Sequence, residues 1–217
     1  MIECVLFDFD ETLTRHDTTR MWLDAFARRY PLRTLLNVRR LLAVRRAKRR
    51  PQELQNAKFQ MIGALLKGLA LDDLRTIHDH YADTVRQYQR DIAWRSMEDH
   101  LAAGRHVLVV TASLRCAVEH VFRATTVETL GTEFELRNGI FTGTLDGNGC
   151  FGATKKTIVA EWAAQQGQPV RFVEAWSDSL SDAPMMQMAE RRHWICPPAN
   201  SALVREQDPR AVIVSGG

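Results

Sequence analysis

Two aspartates, Asp8 and Asp10, stand two residues apart at the end of an apolar, β-rich run. Side chains of an extended chain alternate between faces, so the two carboxylates would point to the same side. Like charges held that close repel each other and lose hydration when enclosed, and a divalent cation is the usual solution. Hard oxygen ligands suit Mg²⁺, and a carboxylate beside Mg²⁺ can attack phosphorus to form an aspartyl-phosphate. The alternative is a strand end whose aspartates are simply solvated.

Polar side chains also follow two later apolar runs. Thr111 and Ser113 close one of these runs, and Asp178 and Asp182 follow another. Ligands of parallel α/β sheets bind beyond the carboxyl ends of the strands. We therefore expect these groups to meet Asp8 at one edge of a sheet.

The order of the predicted elements indicates an α/β fold with a doubly wound parallel sheet. Buried strands are predicted at residues 2–9, 106–110, 170–175 and 192–196, the last of them before Pro197. Helices are predicted at residues 91–103, 114–123 and 154–166 and after Pro184. Residues 133–144 are typical of a hairpin that turns at Asn138-Gly139.

Residues 32–90 show helical periodicity and no alternating strand pattern. A helix capped by Asp17 or Thr18 leads into this block, which follows the first strand directly. The block is too short for a large independent domain, but it can form a lid over the end of that strand. We expect a core of residues 1–15 and 91–217 and a helical unit of residues 16–90.

The composition is typical of a globular protein, with 45% apolar and 25% charged residues among 217. A formal net charge of +3 is too small to indicate a nucleic-acid partner. The four cysteines have no CxxC spacing, which disfavours a zinc site or disulfide framework and fits a reducing compartment. The first strand follows the N-terminus almost directly, and no apolar run approaches a bilayer span. We expect no signal peptide, no transmembrane segment and a cytoplasmic location.

The helical block contains the densest basic run of the chain, and three interpretations of it stay open. It is formed by Arg33, Arg39, Arg40, Arg45, Arg46, Lys48, Arg49 and Arg50. It could be a solvated helix face, or a surface helix that makes weak contact with an anionic membrane or another polyanion. A subset could instead bind a carboxylate or second phosphate of a substrate. Arginines interrupt the apolar residues too often for this segment to cross a bilayer.

The four polar motifs, in this order, resemble those of the haloacid dehalogenase (HAD) superfamily. The resemblance is carried by Asp8-Phe9-Asp10-Glu11-Thr12-Leu13, by Thr111, by Cys150-Phe151-Gly152-Ala153-Thr154-Lys155 and by Trp176-Ser177-Asp178-Ser179-Leu180-Ser181-Asp182. The helical block resembles the C1-type cap of the phosphoserine-phosphatase-like branch, subfamily IB. The chain is most similar to bacterial hydrolases of the phosphatidylglycerophosphatase C type in that branch. The resemblance implies a Rossmann-like core with an inserted all-helical cap.

The resemblance also implies roles for four carboxylates and one lysine. Asp8 would be the nucleophile and a Mg²⁺ ligand. Asp10 would be the general acid and then the general base, with its main-chain carbonyl on the metal. Asp178 would complete the metal shell, and Lys155 would neutralise the phosphate and Asp8. Asp182 would not bind the metal itself but would orient a metal-bound water or Lys155.

Phosphate binding is implied for groups near the first and second strand ends. Thr111 would hold a phosphoryl oxygen through its hydroxyl, helped by the backbone N–H groups of Ala112 and Ser113 at the start of a helix. Thr12 would add a hydroxyl and a backbone N–H, and Lys155 would add a positive charge.

Several of these assignments have alternatives. Lys156 could be the active lysine, although the Cys-x-Gly-x-x-Lys spacing favours Lys155. Ser113 could simply cap the next helix, and Asp182 could be only a charge at a helix N-terminus. Glu11 stands where glycine is common in the family.

The motifs and the resemblance together predict a Mg²⁺-dependent phosphatase that acts through an aspartyl-phosphate, and the resemblance implies that the cap selects the substrate. The expected substrate is phosphoserine-like or another small phosphorylated metabolite. One alternative is a phosphatase of a phospholipid head group such as phosphatidylglycerophosphate. Another is a polyanion-binding protein with a vestigial site, which predicts weak turnover and salt-sensitive binding. Phosphotransfer to an acceptor other than water also stays open.

Overall fold

The computed structural model describes residues 1–47 and 50–215, so Lys48 and Arg49 of the basic run lie outside the described residues. The strands, in chain order, are β1 (Ile2–Phe7), β2 (His106–Leu114), β3 (Glu128–Thr132), β4 (Phe134–Arg137), β5 (Ile140–Leu145), β6 (Val170–Ser177), β7 (Arg191–Cys196) and β8 (Ala211–Ser215). The α-helices are α1 (Thr18–Arg29), α2 (Pro31–Leu36), α3 (Val38–Ala47), α4 (Pro51–Leu66), α5 (Arg75–Gln87), α6 (Asp91–Ala102), α7 (Arg115–Phe122), α8 (Ala153–Gln165), α9 (Ala183–Met186) and α10 (Ser201–Gln207).

The central sheet is parallel, and β1 lies in its middle. Its strand order is β3-β2-β1-β6-β7-β8, and each adjacent pair runs parallel. The chain therefore winds outward from β1 to β3 on one side and from β6 to β8 on the other. This doubly wound arrangement is the fold class that the sequence predicts, and its switch point lies at the carboxyl end of β1.

Alternation along β1 builds the two apolar layers that cover the sheet. Val5 and Phe7 belong to one buried cluster, and Cys4 and Leu6 belong to the other. All four side chains have no exposed surface, which is typical of a parallel strand covered on both faces. The last residue of the strand is therefore held firmly, and Asp8 follows it directly.

The segment between β1 and α6 is helical, as predicted, and packs closely on the rest of the chain. Helix α1 packs against α5, and α4 packs against both α3 and β5. Phe26 and Tyr81 of this segment lie in the same apolar cluster as Phe7 of the sheet. The two groups of elements thus share a core, and the division at residues 15 and 91 stays a prediction. None of the described helices combines the length and apolarity needed to cross a bilayer.

Four elements differ from the sequence-based prediction. Strand β2 continues to Leu114, strand β3 is additional, and the strand at residues 192–196 is followed by α10 and β8. β3 and β8 are the edge strands of the sheet. Each has only five residues, and β3 is also partly polar, so neither gives a strong strand signal in the sequence. The predicted hairpin is confirmed, with φ of 52° at Asn138 and 78° at Gly139, because its two-residue turn needs positive φ at both positions.

Candidate active site

A tight turn at the end of β1 separates Asp8 from Asp10. The backbone N–H of Asp8 donates to the carbonyl of Trp176 at 2.9 Å, which extends the ladder between β1 and β6 by one residue. Asp10 keeps an extended conformation, and Glu11 then adopts a φ of 58°. That left-handed conformation favours glycine, which explains why glycine is common at this position in the family, and it leaves Glu11 strained.

Lys155 lies in a buried ion-pair cluster with two aspartates. Its Nζ is 2.6 Å from Asp8 Oδ1 and 2.7 Å from Asp182 Oδ2, and Ser177 Oγ donates to the same Asp182 oxygen at 2.9 Å. Burial alone would lower the pKa of Lys155, but Asp182 and Asp8 outweigh it and raise that pKa. Lys155 therefore stays protonated beside Asp8, whereas Lys156 is exposed.

Thr12 connects the carboxylates of Asp8 and Asp178. Its hydroxyl lies 3.1 Å from Asp8 Oδ2 and 3.2 Å from Asp178 Oδ1. Burial raises the pKa of Asp8 to about 6, against the opposing effect of Lys155. Burial, followed by the charge of Asp8, raises the pKa of Asp178 to about 8. Both raised pKa values indicate that the nearby positive charge is too small to balance the negative charge of the two carboxylates.

Asp10 is held on both sides by hydroxyl and amide donors. One carboxylate oxygen accepts bonds from the backbone N–H and the hydroxyl of Thr18, both at 2.6 Å. The other accepts from Ser113 Oγ at 2.6 Å and, more weakly, from Thr111 Oγ1 at 3.5 Å. Burial and then the charge of Asp17 raise the pKa of Asp10, although the bonds from Ser113 and Thr18 oppose this shift. A raised pKa in a fixed carboxyl suits a general acid.

Two of the predicted phosphate-binding groups, Thr111 and Ser113, converge on Asp10 and also contact each other. The backbone N–H of Ser113 donates to Thr111 Oγ1 at 3.0 Å. The carbonyl of Ala112 accepts from Thr132 Oγ1 at 2.9 Å. Because β2 continues to Leu114, helix α7 begins at Arg115 and not at Ser113. Their role in binding a phosphoryl group stays a prediction.

The residues present fit a magnesium ion by their chemistry. Within the described ranges, no three His, Cys, Asp or Glu side chains form a complete metal cluster. Mg²⁺ needs fewer protein ligands than that, because it usually keeps several waters and binds one or two carboxylates. Asp8 and Asp178 provide two carboxylates that reach the same hydroxyl, and the main-chain carbonyl of Asp10 would add a third oxygen.

Sequence reasoning did not find four polar groups beside Asp10. Thr18 binds Asp10 directly, and Tyr81 OH donates to Thr18 Oγ1 at 2.7 Å. Asp17 lies in an ion pair with Lys58 at 2.5 Å. Asp17 and Thr18 are visible in the sequence as helix caps, whereas Lys58 and Tyr81 come from distant helices and give no local signal.

Comparisons with known proteins are consistent with this geometry. A sequence model of the family described as haloacid dehalogenase-like hydrolase matches residues 5–187. The chain is 31% identical over 169 residues to a phosphoserine phosphatase of Mycobacterium tuberculosis, covering 70% of this chain and 55% of that protein. It is 29% identical over 153 residues to an inhibition of morphological differentiation protein of Streptomyces azureus, covering 67% and 52%. The chain thus spans about half the length of these curated relatives.

Solved structures share the fold over nearly the whole chain. A protein of unknown function from Bordetella pertussis is similar with a TM-score of 0.83 and 26% identity, covering 99% of both chains. A substrate-bound phosphoserine phosphatase is similar with a TM-score of 0.62 and 18% identity, covering 98% of this chain and 93% of that one. The second likeness concerns the fold alone.

Proposed function

The chain belongs to the haloacid dehalogenase-like hydrolase family, and from this premise we propose that it hydrolyses phosphomonoesters through an aspartyl-phosphate on Asp8. One observation carries the proposal. Lys155 lies 2.6 Å from Asp8, and Asp178 reaches the same Thr12 hydroxyl as Asp8. These groups come from three separate segments of the chain, the turn after β1, helix α8 and the loop after β6, and a site for an anion and a cation needs all of them at one strand end.

In the proposed first step, a carboxylate oxygen of Asp8 attacks the phosphorus of the monoester. The bond between phosphorus and the ester oxygen breaks, and its electron pair leaves with that oxygen. Asp10 donates a proton to the oxygen, so that a neutral alcohol departs. The raised pKa of Asp10 keeps this proton available at higher pH than in an ordinary aspartate.

In the second step, a water molecule attacks the phosphorus of the aspartyl-phosphate. Asp10, now a carboxylate, accepts a proton from that water, and the bond from phosphorus to Asp8 breaks. Inorganic phosphate is released and the Asp8 carboxylate is restored. Thr18 and Ser113 hold the two oxygens of Asp10 from opposite sides, which keeps the carboxyl in one orientation for both proton transfers.

Positive charge for the phosphoryl oxygens comes from Lys155 and from the metal. When bound, Mg²⁺ supplies charge that offsets the repulsion between Asp8 and the incoming phosphate. Asp8, Asp178 and the main-chain carbonyl of Asp10 would hold it. Asp182 also pairs with Lys155, at 2.7 Å, and so helps to hold the ammonium group beside Asp8.

The surroundings of Asp10 favour a small substrate with both an ammonium and a carboxylate group. Asp17 and Lys58 form an opposite-charge pair at 2.5 Å, close enough to Asp10 for Asp17 to shift its pKa. An ammonium can pair with Asp17 and a carboxylate with Lys58, each replacing a bond that the two side chains now make to each other. A phosphoserine-like substrate meets this requirement, and the related phosphoserine phosphatase of Mycobacterium tuberculosis agrees with it.

The space beside Asp10 is narrow in this conformation. A cavity of about 10 Å³ lies between α1, α4, α5 and the end of β2, and Trp22 and Tyr81 are among its lining residues. Trp22 is 3% exposed, and its indole Nε1 has no hydrogen-bond partner within the described part of the chain.

An assay with a generic aryl phosphate, with and without Mg²⁺, tests the proposed chemistry. Turnover should require Mg²⁺ and fall at least about a thousandfold in Asp8→Asn. Asp24→Asn, on the exposed side of α1, is the matched control and should leave turnover unchanged. Full turnover by Asp8→Asn would exclude Asp8 as the nucleophile.

A panel of phosphorylated compounds tests the substrate class separately. It would contain phosphoserine, phosphothreonine, glycerol phosphate and phosphatidylglycerophosphate. Asp17→Asn and Lys58→Met should each raise KM for phosphoserine more than KM for the aryl phosphate. Lys58→Met should leave kcat for the aryl phosphate unchanged, whereas Asp17→Asn should also lower the pKa of Asp10, because the charge of Asp17 raises that pKa. A preference for phosphatidylglycerophosphate that ignores both variants would reject the amino acid substrate and leave the phosphatase chemistry intact.

A further inference from the structure

Helices α2 and α3 expose a cluster of apolar side chains that we call the leucine face. It consists of Leu32, Leu35, Leu36, Val38 and Leu42. Leu36 is 76% exposed, and neither helix contains a buried residue. Single exposed leucines are ordinary, but consecutive ones along two helices mark an interaction surface.

The leucines of α2 share one side of that helix. Leu32, Leu35 and Leu36 follow the spacing that places side chains on one helical face. Arg33 points elsewhere, because its guanidinium donates to two main-chain carbonyls at the end of α4, at 3.0 and 2.8 Å. These bonds attach α2 to α4 and leave its leucines uncovered.

Helix α3 has an inner and an outer apolar side. Leu41 and Val44 pack against the main apolar cluster of the protein. Val38 and Leu42 are one helical turn apart, and both remain more than 40% exposed. Packing within the protein therefore explains why Leu41 and Val44 are apolar, but it does not explain why Val38 and Leu42 are apolar.

The arginines beside the leucine face have few internal partners. Arg39, Arg45 and Arg46 are exposed, and none of them forms an ion pair with a described residue. Arg40 donates to Asn37, at 2.9 Å. Neither α2 nor α3 contains an aspartate or glutamate. The surface therefore combines apolar area with uncompensated positive charge.

We propose that the leucine face lies on the surface of an anionic membrane. The leucines would enter the boundary between head groups and acyl chains, and the arginines would contact lipid phosphates. A nucleic acid would satisfy the arginines, but its phosphate backbone gives the leucines nothing to bury against. A second copy of the chain could cover the leucines, but it would bring arginines of both copies together. This proposal does not depend on the phosphatase activity.

Co-sedimentation of the full chain with lipid vesicles tests the proposal. We expect binding to vesicles of phosphatidylcholine and phosphatidylglycerol in equal parts, weak binding to phosphatidylcholine alone, and loss of binding at high salt. Leu35→Ser/Leu36→Ser should lower the partition coefficient by at least about tenfold, because two apolar side chains no longer insert. Arg39→Gln/Arg45→Gln/Arg46→Gln should lower it by about tenfold or more.

The matched control is Leu203→Ser/Arg205→Gln on α10, which removes exposed residues of the same types. It should bind vesicles like the parent chain, and thermal unfolding should confirm that every variant is folded. Equal binding to both kinds of vesicle, or equal loss in the control, would overturn the proposal. Binding to duplex nucleic acid that depends on the arginines and not on the leucines would also overturn it. So would a dimer in light scattering that Leu35→Ser/Leu36→Ser converts to a monomer.

Discussion

Tyr81 of α5 donates a hydrogen bond of 2.7 Å to Thr18 Oγ1, and the Thr18 hydroxyl lies 2.6 Å from Asp10. The Tyr81 hydroxyl is thereby connected to Asp10, the proposed general acid, through the Thr18 hydroxyl. Tyr81 is almost fully buried, and burial raises its pKa well above its ordinary value, so it remains a donor at neutral pH. Tyr81 is a positioning residue, since it acts on Asp10 only through Thr18.

Tyr81→Phe should lower kcat about threefold to tenfold and change KM little, because Thr18 loses the donor that fixes its hydroxyl. The bonds from Thr18 lower the pKa of Asp10, so their loosening should move the corresponding limb of the pH profile of kcat to higher pH. Tyr30→Phe is the control, because the Tyr30 hydroxyl makes no hydrogen bond to a described residue. A loss of stability with an unchanged pH profile would show that Tyr81 is only structural.

Lys155→Met should abolish turnover and destabilise the protein by about 3–5 kcal/mol, since Asp8 and Asp182 would remain buried without their counter-charge. Lys156→Met, at the exposed neighbouring position, should change stability by less than about 0.5 kcal/mol and leave activity intact. Chemical denaturation and the aryl phosphate assay measure the two effects. The double variant Lys155→Met/Asp182→Asn should recover part of the stability and none of the turnover. Loss of activity in Lys156→Met instead would transfer the role to that lysine.

Magnesium affinity should depend on pH through Asp178 and Asp8. Their pKa values, about 8 and about 6, lie above the ordinary value, so the metal-free fold favours their protonated forms. Protonation therefore stabilises the metal-free protein fully below the ordinary pKa of an aspartate, and this stabilisation is lost as pH rises through about 6 for Asp8 and about 8 for Asp178. Mg²⁺ requires the carboxylates, so its Kd should rise about tenfold for each pH unit between about pH 8 and pH 6, where Asp178 alone takes up a proton, and more steeply below about pH 6, where Asp8 does so as well. Calorimetric titration measures this, and Asp178→Asn should remove most of the dependence. A Kd that stays constant between about pH 6 and pH 9 would contradict the assignment.

Glu11→Gly should stabilise the protein by about 0.5–1 kcal/mol, because a φ of 58° is strained for a residue with a Cβ. Glu11→Ala should bring no such gain. Glu11→Gln distinguishes the effect of backbone strain from that of the side-chain charge. It keeps the strained φ, but it should lower the pKa of Asp178, because the Glu11 carboxylate raises that pKa. Thermal unfolding of the three variants measures the order of stability. Equal melting temperatures for Gly and Ala would show that the turn relaxes around any side chain.

The sequence allowed the family and the fold class to be predicted, and the comparisons confirm both. The similarity to a phosphoserine phosphatase of Mycobacterium tuberculosis agrees with the predicted branch. The positions of Asp8 and Asp178 follow from a simple rule, since polar residues directly after buried parallel strands share one sheet edge. The ion pair of Asp17 with Lys58 and the bond from Tyr81 to Thr18 do not follow, because each depends on how distant helices pack.

The same distinction explains the elements that were missed. β3 and β8 are edge strands whose pairing is decided by their neighbours and not by their own periodicity. The outward direction of Leu35 and Leu36 is likewise set by the bonds of Arg33 to the end of α4. The sequence of α2 and α3 shows only that this part of the chain contains both basic and apolar residues.

The central claim is that phosphorus becomes covalently attached to Asp8 during turnover. Quenching the protein during turnover of an aryl phosphate, followed by borohydride reduction and peptide mass spectrometry, tests it directly, because reduction converts an aspartyl-phosphate to homoserine. The account predicts homoserine at position 8, dependent on both substrate and Mg²⁺ and absent without either. Reduction at another residue, or an unmodified Asp8 peptide under conditions of steady turnover, would contradict it.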